Sequence, residues 1–136
     1  MDNYFEMTMP KQEIDAISNL GLAHMGDCVY EILVRAYLCH QGRKTVERLH
    51  KETIQMVKAT YQARFAEKML PILTDEELTY YRRGKNAHPH AVPKSATPAE
   101  YAKATGLEAL FGYLSLHGRE ERMKELFLIG FVKTEE

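Results

Sequence analysis

A glycine beside an acid inside a helix constrains this chain more than any other feature. The stretch Leu22-Ala23-His24-Met25-Gly26-Asp27-Cys28-Val29-Tyr30-Glu31 reads as helix, yet it sets Gly26 next to Asp27. A second stretch, Thr105-Gly106-Leu107-Glu108-Ala109-Leu110-Phe111-Gly112-Tyr113, repeats the combination around Glu108. Glycine inside a helix costs about 1 kcal/mol relative to alanine, which packing or function usually offsets. Because glycine has no Cβ, two helix backbones can come close there. The expectation is that the two helices cross at their glycines and turn Asp27 and Glu108 toward one shared cation. Magnesium takes one or two protein carboxylates, keeps several waters and accepts phosphate oxygens. Such an ion activates a water and stabilises charge on a leaving oxygen. The pattern therefore points to a magnesium-dependent phosphodiester hydrolase.

A single acid on a helix is ordinarily a solvated surface residue. Asp27 is less ordinary, because it lies one turn before Glu31, and like charges at that spacing repel. Glu31 has Arg35 one turn further on, in the favourable order. Asp27 has only His24, three residues earlier, so a bound cation would relieve it. Glu108 stands among Leu107, Ala109, Leu110 and Phe111, which marks it for a buried or cleft position.

The rest of the chain reads as all-α. Leu22, Met25, Val29, Ile32, Leu33 and Ala36 recur at helical spacing between about Ser18 and Cys39, and Gln41-Gly42 ends that segment. A second helical region covers roughly Thr45 to Leu70, with room for a break near Val57-Lys58, and Pro71 closes it. Thr74-Asp75-Glu76-Glu77 is a capping box, and its helix is expected to reach about Arg83. Thr97-Pro98-Ala99-Glu100 is another, with proline at the first helical position, and its helix is expected to stop at His117-Gly118. A last helix covers about Glu120 to Val132. No alternating β-branched run predicts a strand. The scattered tyrosines, among them Tyr30, Tyr37, Tyr61, Tyr101 and Tyr113, are expected to pack in the core.

The chain has 136 residues, 45% of them hydrophobic, which suits one domain with a real core. A formal net charge of −1 means that any basic surface must be local. No apolar run approaches the roughly 18 residues of a membrane span, and the first residues do not form a secretory signal. Cys28 and Cys39 fall on one predicted helix, about 16 Å apart along its axis. A disulfide requires Cα atoms within about 7 Å, so the two do not pair, and a reducing cytoplasm is the expected setting.

Local basic character lies between Glu77 and Glu100, an interval without acids. It holds Arg82, Arg83, Lys85 and Lys94, with Asn86, His88 and His90 beside them. Thirteen residues from Gly84 to Ala96 are expected to form a loop, long for a helix–helix connection and of a length that often carries function. Basic residues on such a loop suit phosphate contacts, and the bland alternative is a solvated loop after a helix whose last arginines favour its dipole. His88-Pro89-His90 is a weak metal signal.

Taken in order, Gly26-Asp27-Cys28-Val29-Tyr30-Glu31, Leu49-His50-Lys51, Arg82-Arg83-Gly84-Lys85-Asn86-Ala87, Val92-Pro93-Lys94 and the Thr105–Tyr113 stretch resemble bacterial Mini-ribonuclease III. This is the short branch of the ribonuclease III superfamily, and the resemblance runs from about Leu20 to Phe127. It implies an all-α, ribonuclease III-type endonuclease domain working as a two-fold homodimer. It implies magnesium-dependent cleavage of double-stranded RNA, with large-subunit ribosomal RNA precursor as the usual substrate of the branch and a ribosomal protein as a possible assistant. Asp27 matches the catalytic, metal-binding aspartate and Glu108 the second metal-binding acid. Arg82, Arg83, Lys85, Asn86 and Lys94 match the segment that touches the duplex. The longer enzymes carry a Glu where this chain has Ala23 and an Asp where it has Thr105, a thinner set that the short branch shares.

On this reading residues 1–17 are an N-terminal extension and residues 18–133 a single catalytic domain, without a separate RNA-binding domain. Phe111, Tyr113 and the first helix are candidate dimer contacts. The competing reading is a catalytically silent RNA-binding or ribosome-associated module on the same scaffold, against which stands the presence of both acids.

Overall fold

The computed structural model describes residues 8–87 and 95–135, with side chains as far as residue 131. Seven α-helices follow one another among the described residues: α1 Lys11–Asp15, α2 Asn19–His40, α3 Val46–Val57, α4 Ala59–Met69, α5 Asp75–Lys85, α6 Pro98–Leu116 and α7 Glu120–Glu135. A 3₁₀ turn, Leu70–Ile72, links α4 to α5, and the described residues contain no strand.

Local chemistry sets most of the boundaries. The Ser18 hydroxyl accepts from the Gly21 amide at 2.9 Å and starts α2. Thr74 and Thr97 form complete capping boxes with Glu77 and Glu100, starting α5 and α6. At the other end of α6, Gly118 takes a φ of +73°. The amides of Gly118 and Arg119 then donate to Ser115 and Leu114, which closes the helix with a Schellman motif.

Helix α6 is the centre of the molecule and packs on α2, α4, α5 and α7. Its residues from Ala104 to Leu114, apart from half-buried Glu108, are buried, as expected for a helix apolar on every face. Tyr30, Phe65, Phe111 and Phe127 form the aromatic core, with Tyr30 edge-on to Phe65 at 5.6 Å and its hydroxyl donating to the Met56 carbonyl. Phe111 and Tyr113 therefore lie inside the chain's own core, and the expectation that they make dimer contacts is corrected.

The Thr45–Leu70 region is two helices, and the break falls where the sequence left room for one: Lys58 turns extended at φ −63° and ψ 146°. One boundary differs from the sequence reading. Helix α5 continues through Gly84 to Lys85, so Gly84 is a buried helical residue and not the start of a loop. Residues 8–17 pack on the body of the domain. Ile14 is fully buried, the Met9 amide donates to the Leu116 carbonyl and the Tyr80 hydroxyl donates to Asp15 at 2.5 Å.

Candidate active site

The crossing of α2 and α6 depends on two missing side chains. A Cβ on Gly26 would lie 1.5 Å from the Glu108 carbonyl oxygen. A Cβ on Gly112 would lie 2.1 Å from the Leu22 carbonyl oxygen. Any other residue at either position forces the helices apart. Gly106 serves a different contact. Together with Gly84 it lets α6 and α5 approach, and a Cβ on Gly84 would lie 2.5 Å from the Thr105 carbonyl oxygen. The glycine that answers Gly26 is therefore Gly112, one turn beyond Glu108.

This crossing brings the two predicted acids together. Asp27 is exposed and Glu108 is half-buried, and their carboxyl groups are in hydrogen-bond contact. Burial first, and then the negative charge and hydrogen bond of Asp27, push the Glu108 carboxyl up to about 8. The Gln62 amide of α4 touches the same carboxyl and pulls in the opposite direction. Among the described residues Asp27 has no ion pair, whereas Glu31 pairs with Arg35 at 2.9 Å. No group of three or more histidine, cysteine, aspartate or glutamate side chains gathers to hold a metal among the described residues.

The basic residues separate into two sets. Arg82, Lys85 and Asn86 are exposed at the C-terminal end of α5, and neither Arg82 nor Lys85 forms an ion pair among the described residues. Arg83 is held inward. Its guanidinium donates to the Ile17 carbonyl at 2.6 Å and to Asn19 at 2.7 Å, and lies 3.7 Å from Asp15. Lys94, His88 and His90 lie outside the described residues.

Gln62 is the residue at this site that sequence reasoning missed. In the structure it is the polar member of an otherwise apolar face that continues through Phe65, Ala66 and Met69, a contrast visible only once that face is known to be buried.

Comparison with known proteins shows the family. The family model for the ribonuclease III domain matches residues 20–119, a span that includes both acids. The chain belongs to the ribonuclease III family and is an endoribonuclease of that type. Within the family it falls in the Mini-ribonuclease III branch. It is 48% identical over 107 residues to Mini-ribonuclease 3 of Symbiobacterium thermophilum, covering 79% of this chain and 82% of the relative. It is 38% identical over 128 residues to the Mini-ribonuclease 3 of a Thermoanaerobacter species, covering 94% and 90%. The crystal structure of protein FN1578 from Fusobacterium nucleatum superposes with a TM-score of 0.78 at 33% identity, over 84% of this chain and 93% of that one.

Proposed function

We propose that this chain is a magnesium-dependent endonuclease for double-stranded RNA, acting as a two-fold homodimer on large-subunit ribosomal RNA precursor. The observation that carries the reading is the meeting of the Asp27 and Glu108 carboxyl groups across the Gly26–Gly112 crossing.

The donor set fits a hard divalent cation. Two carboxyl groups in contact hold a proton between them, and a cation in its place would leave both ionised. Two acids also match the small number of carboxylates that magnesium takes, with waters and phosphate oxygens completing its shell. A bound ion would supply an acidified water and would neutralise charge on the leaving oxygen. Asp27, being exposed, is the acid that meets an incoming phosphate. Glu108 is fixed by α6 and by Gln62, so its carboxyl needs little reorganisation.

The other parts of the proposal rest on the surface. Arg82, Lys85 and Asn86 are exposed at the end of α5, and their chemistry suits phosphate and 2′-hydroxyl contacts in recognition of an A-form duplex by shape. Lys94 belongs to the same proposal. Arg83 contributes to it by anchoring α5. On α2, Met25 and Ile32 are 37% and 54% exposed, with Cys28 between them and Cys39 two turns on, all exposed. This apolar stripe suits an isologous contact with a second copy, which would present one acid pair to each strand of a duplex. Free thiols at Cys28 and Cys39 suit the cytoplasm, and no helix among the described residues is long and apolar enough to cross a membrane.

The test is cleavage of a long RNA duplex by the purified protein, with magnesium and with a chelator. Cutting is expected only with the metal, and Asp27→Asn is expected to lower it by at least about 100-fold while duplex binding persists. Cutting in chelator, or full activity of Asp27→Asn, would remove the acid pair from the reaction.

A further inference from the structure

Gln62 is 2% exposed and is the only polar residue on the buried face of α4. Its Nε2 donates to the Val57 carbonyl at 3.2 Å, which ties α4 to the last residue of α3 across the break at Lys58. The same side chain lies near enough to the Glu108 carboxyl to pull its pKa down against burial. The other half of the group is unaccounted for: Oε1 is buried and has no hydrogen-bond partner. A buried acceptor left in that state costs about 1–3 kcal/mol. A tie across the helix break needs only the N–H end, and a side chain of similar length without the oxygen would avoid the penalty. Oε1 and Nε2 share one carbon, so a donor to Oε1 belongs to the neighbourhood of the side chain that acts on the Glu108 carboxyl.

We propose that Gln62 is the third protein group of the acid-pair site, its Nε2 orienting the Glu108 carboxylate and its free Oε1 accepting from a water held beside the two acids. The inference rests on the reading of Asp27 and Glu108 as a divalent-ion site. Gln62 acts through Glu108 and through water, so it is a positioning residue. Partners of this kind usually carry about 10–100-fold in metal affinity or activity.

The experiment measures binding of Mn2+ to the full chain without RNA, by paramagnetic resonance or calorimetry, together with cleavage kinetics. Gln62→Met fills the same space with no hydrogen-bonding atoms. Its Mn2+ affinity is expected to fall about 10-fold or more, and kcat on an RNA duplex about 10–100-fold, with KM unchanged. Gln62→Glu also loses the bond to Val57 but sets a third carboxylate beside the ion, so its Mn2+ affinity is expected to rise several-fold. Were Gln62 only a tie between α3 and α4, both variants would melt earlier by a similar amount and bind Mn2+ as the unaltered protein does. That result would overturn the inference, and Gln62→Glu decides it alone if Gln62→Met does not fold. An unaltered protein that binds no Mn2+ would remove the acid-pair reading and this inference with it. Normal binding with unmoved Gln62 variants would remove only the inference.

Discussion

Glu108 is a carboxyl group on which two influences act in the same direction. Its place on α6 draws it out of water, and Asp27 adds a like charge, so it keeps its proton up to about pH 8 against an ordinary value of 4.5. The folded state therefore binds a proton that the unfolded chain releases at lower pH. The resulting stabilisation is full below about 4.5 and is lost as pH rises through about 8. Melting in chelator is expected to show the apparent Tm falling across that window, with a smaller fall in Glu108→Gln. Equal slopes for the two proteins would contradict this assignment. Asp27 and Glu108 were legible because each stands out from its neighbours: one is an acid beside a helical glycine, the other an acid in an apolar run. Gln62 was not read, since a glutamine in a helix carries no such contrast until the face it occupies is known to be buried.

At the scale of elements, the caps were the most legible signals. Thr74, Thr97 and their glutamates act through atoms three residues apart, so local sequence suffices. Gly84 was misread because its role is tertiary. It looks like a helix stop, but its missing Cβ lets α5 lie against α6 at Thr105 and Gly106. The same extension of α5 divides the basic residues. Arg82 and Lys85 project from its last turn, while Arg83 reaches back to Ile17 and Asn19. Alanine at Arg82 and Lys85 together is expected to weaken duplex binding and to flatten its salt dependence by about one unit of slope per lost phosphate contact. Alanine at Arg83 is expected to lower stability by roughly 1–3 kcal/mol and to leave the salt slope as it was. Binding titrations at several salt concentrations, with denaturant melts, separate the two. A flattened slope for Arg83→Ala alone would place that residue on the RNA.

On the scale of the whole molecule, α6 is buried by four other helices and cannot move without disturbing all of them. The acid pair is thus built where α2 crosses the most deeply packed helix, and the long-range meeting of residues 27 and 108 follows from a crossing that no local rule specifies. The all-α class was evident from periodicity. The pairing of Gly26 with Gly112 was not, because the stretch around Glu108 holds two glycines and only packing tells them apart. Helix α2 carries Asp27 along one flank and the exposed Met25–Ile32 stripe beside it. Ile32→Glu is expected to convert the proposed dimer to monomer in sedimentation velocity and to lower cleavage, while its helical circular dichroism stays unchanged. A monomeric unaltered protein would exclude this surface as the contact.

Central to the account is one divalent ion held between Asp27 and Glu108. Crystals grown with Mn2+ test it directly through anomalous scattering. The expected map has a peak in coordination contact with a carboxylate oxygen of each acid, absent from crystals of Asp27→Asn. A peak elsewhere, with the two carboxyl groups still bonded only to one another, would contradict it.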